Sequence, residues 1–312
     1  MQKLKVLLLM GGGGSEHEVS LSSGQEVLKN FDLEKYEVIS MVMKTQDLNI
    51  LKVKEIGPDV VFIALHGGVG EDGTIQKIFE NEGIKFIGCG SEASSLGMDK
   101  VKFLDLIDKA GIPIPKGLIA KKGELLDLDE VKSLGNKWVI KPAGQGSSVG
   151  ITIIDDLNKL DGALELAFNF DDRAIIEEFL DGVEISSGVL GNPSANSGQV
   201  IALPIIEICP KNTFFDYEAK YTSGKCDEIV PARLSDEITK KIQEYSLKIF
   251  ELTGARGFIR VDYIVKNGSD PIVLEMNTIP GLTPSSLLPK EAKAAGIDYP
   301  KLLDKMIELA LE

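Results

Sequence analysis

The sequence has few cysteines, and they form no recognisable site. Cys89, Cys209 and Cys226 are odd in number and widely separated, and no Cys-x-x-Cys pair occurs. This spacing indicates neither a disulfide framework nor a zinc site. We therefore expect three reduced thiols in a cytoplasmic protein.

Long apolar runs are also missing. No run approaches the roughly 18 residues that span a bilayer, so we expect no membrane partner. The apolar stretch from Val6 to Met10 is too short for a signal peptide, and residues after it are glycines. This stretch predicts a buried first strand.

Basic residues are fewer than acidic residues. The chain has 34 Lys and Arg against 48 Asp and Glu, which gives a net charge of −14. Such a chain lacks the basic surface that general nucleic-acid binding requires, and it does not resemble a polybasic membrane-surface protein. A local pocket can still bind a small anion. The length of 312 residues predicts about two domains.

The first hundred residues alternate short apolar runs with helical patterns. Strands are expected at 4–10, 36–43, 59–65 and 84–88, and helices at 18–30 and 74–83. This alternation predicts a parallel sheet with helices on its faces. Ligands of such sheets bind beyond the carboxyl ends of the strands, where the loops GGGGSEHE and HGGVGEDG fall.

The rest of the chain predicts a mixed α+β arrangement. Helices are expected at 99–110 and 235–252, and strands at 138–142, 149–154, 173–180, 183–191, 199–208, 257–265 and 271–277. Asn267-Gly268 provides the positive φ angles of a tight hairpin between the last two strands. The segment from Cys209 to Cys226 has little periodicity and predicts a long ordered loop over a site.

The predicted hairpin carries four polar residues within apolar strands. Arg260 and Asp262 share one face of their strand, and Glu275 and Asn277 share a face of its partner. Buried polar groups need partners, so one interpretation is an ion network that only stabilises the sheet. The other is a Mg²⁺ site, since Mg²⁺ prefers a few carboxylates with phosphates and water.

Three loops before this hairpin also carry candidate residues. In WVIKPAGQGSSVG, Lys141 precedes a small-residue loop that either cradles phosphates or is only a flexible hairpin tip. It is not a Walker A motif. HGGVGEDG contains G-x-G-x-x-G, but Glu71 and Asp72 would repel a pyrophosphate, so we expect them to cap the next helix. His66 and Glu16 face the same predicted crevice.

Taken together, the motifs resemble those of D-alanine–D-alanine ligases over nearly the whole chain and in the same order. They are GGGGSEHEVSLSSG, HGGVGEDGTIQ, GMDK, WVIKPAGQGSSVGI, EEFLDGVE, FFDYEAKY, GFIRVD and LEMNTIPGLTPSSLLP. The resemblance implies an ATP-grasp fold. It comprises a Rossmann-like N-terminal domain (1–98), a central subdomain (99–181) and a C-terminal subdomain (182–312).

The resemblance also implies roles for individual residues. The residues implied to bind ATP are Lys100, Lys141, Glu177, Phe179, Leu180, Glu184 and Lys220. Two Mg²⁺ ions, or Mn²⁺ in their place, would be held by Asp262, Glu275 and Asn277. Glu16, linked to Ser147 and Tyr221, would bind the first D-alanine near His66. Arg260 and the Gly281 N–H would form an oxyanion hole, and Ser286 with the Leu287 N–H would bind the second D-alanine.

The implied activity is ATP-dependent synthesis of D-alanyl-D-alanine for peptidoglycan, by a cytoplasmic homodimer. Tyr221 favours an amine as second nucleophile, since similar ligases that make D-alanyl-D-lactate lack a tyrosine there. Glu178 stands where the family often has lysine. The alternatives are a D-alanine–D-lactate ligase, a non-catalytic nucleotide-binding regulator, or an NAD-dependent oxidoreductase that uses HGGVGEDG.

Overall fold

A computed structural model describes residues 3–14, 16–193, 200–210 and 226–312. Ser15, Lys220, Tyr221 and most of the predicted loop between Cys209 and Cys226 lie outside the described residues. Within the described part, no helix is long and apolar enough to cross a membrane.

The N-terminal region is built on a three-stranded parallel sheet in the order β2-β1-β3. Its strands are β1 (Leu4–Gly11), β2 (Tyr36–Met43) and β3 (Val60–Ala64), and its helices are α1 (His17–Asn30), α2 (Ile50–Ile56), α3 (Thr74–Asn81) and α4 (Ser91–Met98). The apolar run of β1 is buried from Val6 to Met10, as expected for a strand covered on both faces.

The fourth strand predicted at 84–88 is not formed. Phe86 makes only an isolated parallel bridge to Val61. The backbone takes positive φ at Gly83 and Gly88, and these two bends limit the extended segment to a single pairing.

A four-stranded antiparallel sheet follows, in the order β4-β7-β5-β6. It comprises β4 (Gly117–Lys121), β5 (Trp138–Pro142), β6 (Thr152–Ile154) and β7 (Arg173–Glu178), with helices α5 (Lys100–Lys109), α6 (Leu128–Ser133) and α7 (Leu160–Ala167). Helix α5 packs its apolar face on the core of the next sheet, through Phe103, Leu104 and Ile107.

The third sheet runs in the order β11-β10-β8-β12-β13, with β9 paired to β8. Its strands are β8 (Gly182–Gly191), β9 (Ile201–Ala202), β10 (Ile206–Pro210), β11 (Cys226–Ile229), β12 (Gly257–Lys266) and β13 (Asp270–Asn277). The hairpin between β12 and β13 is confirmed, with positive φ at Asn267 and Gly268. The single strand predicted over 199–208 is wrong: Pro204 separates β9 from β10, because proline lacks the N–H that a ladder needs.

The described part of the chain has three more α-helices. They are α8 (Asp236–Leu252), α9 (Leu287–Ala294) and α10 (Tyr299–Leu311). Ser235 caps α8 by accepting from the Ile238 N–H, as Ser does at helix N-termini. Helix α10 returns to the first sheet, where Leu302, Leu303 and Met306 join the core of β1 and β3. Residues of the second and third sheets, and of the loops after β1 and β3, line one cleft. The division at residues 98 and 181 stays a prediction.

Candidate functional site

The cleft between the sheets has a volume of about 810 Å³, within the usual range of small-molecule sites. Fifteen of the predicted site residues line it: Glu16, His66, Lys141, Ser147, Glu177, Phe179, Leu180, Glu184, Arg260, Asp262, Glu275, Asn277, Gly281, Ser286 and Leu287. Lys100 is buried behind them. Lys220 and Tyr221 lie outside the described residues.

At one end of the cleft, two lysines approach two glutamates. Lys141 Nζ lies 2.8 Å from Glu177 Oε2, with both side chains almost fully buried. Lys100 Nζ lies 3.3 Å from Glu275 Oε2 and also donates to the Gln145 carbonyl in the Gly/Ser loop. Lys100 and Lys141 come from different elements, α5 and β5, and both ammonium groups meet at this end of the cleft, each beside one carboxylate.

Glu177 carries a buried acceptor that no described residue satisfies. Its Oε1 atom is buried and has no hydrogen-bond partner among the described residues. A buried acceptor without a donor is costly. Phe179 and Leu180 border the same region, so this part of the cleft suits a flat ligand that carries an amino group.

The side chain of Glu178 makes its contacts away from the region around Glu177, Phe179 and Leu180. Its Oε1 atom accepts from the Lys116 N–H at 3.1 Å, and its Oε2 atom lies 3.7 Å from Lys266 Nζ. These contacts draw the Glu178 carboxylate to the strand edge, although the residue still borders the cleft.

The β12–β13 hairpin presents its polar residues on one face. Arg260 pairs with Asn277, and Asp262 with Glu275, in the strand register. Asp262 accepts two hydrogen bonds from Arg260, at 2.9 and 2.7 Å, one from Asn277 Nδ2 at 3.0 Å and one from Ser186 Oγ at 2.8 Å. Two of the predicted metal ligands, Asp262 and Asn277, therefore also belong to the ion network around Arg260.

The guanidinium of Arg260 stays charged in this setting. Burial lowers its pKa, but the negative charge and hydrogen bonds of Asp262, with a smaller contribution from Glu275, outweigh burial and raise it. A buried cation that cannot lose its proton suits the stabilisation of an oxyanion.

The side chains of Asp262, Glu275 and Asn277 fit Mg²⁺ only if phosphate and water oxygens complete the coordination. Among the described residues, no group of three or more His, Cys, Asp or Glu side chains could hold a metal. Asp262 and Glu275 are directly opposite each other, where like charges destabilise a sheet, and in this structure Arg260 and Lys100 balance them. Two carboxylates with phosphates and water are an ordinary Mg²⁺ environment.

The opposite wall comes from the N-terminal region. Ser147 Oγ donates to Glu16 Oε1, which joins the Gly/Ser loop to the loop after β1. Ser147 and Ser148 both have positive φ, at 52° and 58°, a conformation rare for residues other than glycine. The chain thus holds this loop in a strained form that brings Ser147 to Glu16.

His66 is fixed by two neighbours. Its Nε2 atom lies 2.8 Å from Ser23 Oγ, and its Nδ1 atom lies 3.5 Å from Glu71 Oε1. The expectation that Glu71 caps α3 is therefore wrong, because its side chain faces His66. Asp72 does accept from the Thr74 N–H at 2.8 Å.

The glycines of HGGVGEDG have structural explanations. Gly73 has a φ of +91°, and a Cβ there would lie 2.4 Å from the Ser91 carbonyl oxygen. This position requires glycine because the backbone before α3 meets the first turn of α4. A dinucleotide site is not needed to explain the motif.

One polar residue near the hairpin was missed by the sequence analysis. Glu291, on α9, is fully buried, and neither carboxylate oxygen has a hydrogen-bond partner among the described residues. Burial raises the pKa of Glu291 to about 8; Arg260 opposes this rise, and Asp262 adds to it. The Gly188 N–H also opposes the rise, although it does not align for a hydrogen bond.

This shift predicts a pH-dependent stability. The unfolded chain releases the Glu291 proton near the ordinary pKa of 4.5, whereas the folded protein keeps it up to about pH 8. Between these values the unfolded state binds fewer protons, so stability falls as pH rises, by at most about 1.4 kcal/mol per unit. In urea denaturation, we expect the free energy of unfolding of Glu291→Gln to increase relative to that of the wild type between pH 5 and pH 8. A constant difference across this range would contradict the burial of a neutral acid.

Comparison with known proteins relates the chain to one family. The family model described as D-ala D-ala ligase C-terminus matches residues 106–308, and the D-ala D-ala ligase N-terminus model matches residues 43–89. A D-alanine–D-alanine ligase of Syntrophobacter fumaroxidans is 45% identical over 100% of this chain and 99% of that protein.

Solved structures of similar proteins have the same fold. A D-alanine–D-alanine ligase from Bacillus anthracis superimposes with a TM-score of 0.87 and 37% identity, covering 99% of this chain and 97% of that one. A structure of the Bacillus anthracis ligase complexed with ATP gives a TM-score of 0.86 and 35% identity over the same shares of the two chains. The chain therefore belongs to the D-alanine–D-alanine ligase family.

Proposed function

We propose that this protein joins two D-alanine molecules into D-alanyl-D-alanine, with conversion of ATP to ADP and phosphate. The observation that carries the proposal is the placement of Arg260 beside Asp262 and Glu275, in one cleft with Glu16 and the N-terminus of α9. A protein that only binds a nucleotide does not need an oxyanion-stabilising group. The charged Arg260 next to candidate metal ligands therefore favours an enzyme over a nucleotide-binding regulator.

ATP is proposed to lie between the second and third sheets. Family membership and the ATP complex of the Bacillus anthracis ligase support this placement. The unsatisfied Glu177 Oε1 atom would accept from the adenine amino group, beside Phe179 and Leu180, and Glu184 would accept from the ribose. Lys100 and Lys141 would bind the phosphates, with the Gly/Ser loop over them.

Two Mg²⁺ ions are proposed at Asp262, Glu275 and Asn277. When bound, Mg²⁺ neutralises charge on the phosphate oxygens. To accept the metal, Asp262 must give up hydrogen bonds to Arg260, and Glu275 its contact with Lys100. Both cations would then be available to anionic groups of the substrates. Mn²⁺ has similar ligand preferences and is proposed as a substitute.

The two chemical steps share one reaction centre. The carboxylate of the first D-alanine, whose ammonium Glu16 would hold near His66, attacks the γ-phosphorus, forming an acyl phosphate and ADP. The amine of the second D-alanine then attacks the acyl carbon, and phosphate leaves. Arg260 and the Gly281 N–H would stabilise the oxyanion between these events.

The second D-alanine is proposed to bind at the start of α9. Its carboxylate would accept from Ser286 and from the Leu287 N–H, because free N–H groups and the helix dipole favour an anion there. We further propose a cytoplasmic homodimer that supplies this dipeptide for peptidoglycan.

The proposal is tested by incubating the protein with ATP, Mg²⁺ and D-alanine, and measuring phosphate and dipeptide. We expect one dipeptide for each phosphate and no product from L-alanine. With D-lactate present at neutral pH, the dipeptide should predominate over the ester. ATP binding without phosphate release would contradict the ligase proposal and favour a regulator, whereas a predominant ester would contradict only the choice of second substrate.

A further inference from the structure

The contact between α9 and β8 depends on a single glycine. A Cβ on Gly188 would lie 2.4 Å from Glu291 Oε2 and 2.5 Å from Leu288 Cδ1. Leu288 and Glu291 are three residues apart and face the same way from the helix. The missing side chain at position 188 therefore creates the space into which α9 inserts the Glu291 carboxyl group.

This space borders the side chain of Arg260. Gly188 and Arg260 are directly opposite each other in the β8–β12 register, and such partners project from the same face, with Cβ atoms about 5 Å apart. The Glu291 carboxyl group on this face lies close enough to the Arg260 guanidinium for that charge to lower the pKa of Glu291. Asp262 accepts two hydrogen bonds from the guanidinium, and Glu291 approaches the same region from α9, over Gly188 of β8.

The same helix begins at the proposed second-substrate site. Leu287 is the first residue of α9, and Glu291 lies one turn later on the same helix face. Movement of Glu291 would thus shift the N–H groups of α9 and the environment of Arg260 together.

We propose that Glu291 is a positioning residue that aligns Arg260 with the N-terminus of α9 for attack by the second amine. The inference rests on the proposed function only through the roles of Arg260 and Leu287. A fully buried polar group without a hydrogen bond destabilises the fold, and its presence is explained if the reaction requires it. The high pKa of Glu291 is consistent with a neutral acid that leaves the charge of Arg260 intact.

The proposed role of Glu291 affects only the second chemical step, the attack of the amine on the acyl phosphate. If the second amine is misaligned, the acyl phosphate persists and water attacks it, giving D-alanine and phosphate without dipeptide. The ratio of phosphate to dipeptide therefore reports positioning, and a merely structural residue would not change it.

The test compares two variants with the wild type. Glu291→Met keeps an unbranched side chain of similar volume but removes both oxygens. We expect it to lower kcat for dipeptide by roughly 10- to 100-fold, as small misalignments do, and to raise the ratio of phosphate to dipeptide above one. Its affinity for ATP and its melting temperature should not fall. Glu291→Gln is isosteric and should retain kcat within about threefold.

Ser187→Ala provides a matched control. Ser187 is also fully buried, and its Oγ atom has no partner among the described residues, but adjacent strand residues face opposite sides of the sheet. We expect this variant to change neither kcat nor the product ratio. If Glu291→Met keeps full kcat and a ratio of one, or if it melts below the wild type, the inference is wrong. If the wild type makes no dipeptide, the proposed function itself fails.

Discussion

Replacing Arg260 by methionine is expected to lower kcat for dipeptide synthesis by about 10²–10³, the effect of removing one oxyanion donor. The Arg260 side chain is only 13% exposed, so water cannot replace it. The affinity for ATP should remain close to that of the wild type, because Lys100 and Lys141 are untouched. Steady-state kinetics and nucleotide titration measure the two quantities.

Loss of Arg260 also leaves the Asp262 carboxylate without its cationic partner, so stability has to be measured in parallel. Arg256→Met is a suitable control. The Arg256 guanidinium lies over the Phe86 ring, 4.6 Å from the centroid, and Arg256 does not line the cleft. Both variants should lose stability, but only Arg260→Met should lose turnover. Equal kcat values for the two variants would remove Arg260 from the reaction.

Replacing Glu275 by glutamine is expected to abolish turnover at every Mg²⁺ concentration. Glu275 lies opposite Asp262 in the sheet and 3.3 Å from Lys100, so one substitution weakens a metal ligand and leaves a buried lysine without its partner. Metal catalysis contributes several kcal/mol, which corresponds to roughly 10³-fold or more in rate.

The control for Glu275 lies at the start of the same strand. Asp270 is exposed there, and Asp270→Asn should retain full activity. Recovery of Glu275→Gln turnover as Mg²⁺ is raised would indicate a weaker role, and near-normal turnover throughout would remove Glu275 from the ligand set.

The hairpin was predictable because local sequence determines it. Asn267 and Gly268 set the turn, and two-residue periodicity places Arg260, Asp262, Glu275 and Asn277 on one face without knowledge of the rest of the fold. The β1 strand and α8 follow in the same way from an apolar run and from a capped helical pattern.

Contacts between distant segments were not predictable in this way. Nothing in the sequence near Glu291 distinguishes it from an exposed helix residue, because its burial depends on Gly188, which lies in a different strand. Similarly, no local pattern joins Lys100 to Glu275, or α10 to the first sheet. The family resemblance brought the site residues together, whereas Glu291 belongs to none of the motifs that carry it.

The central claim is that ATP activates the carboxylate of the first D-alanine. It is tested by supplying D-alanine with ¹⁸O in its carboxylate and determining the mass of the phosphate produced. An acyl phosphate transfers one carboxylate oxygen to phosphorus, and the second amine then expels that phosphate. We therefore predict one ¹⁸O atom in each phosphate, with one dipeptide formed. Unlabelled phosphate accompanying the dipeptide would contradict the account.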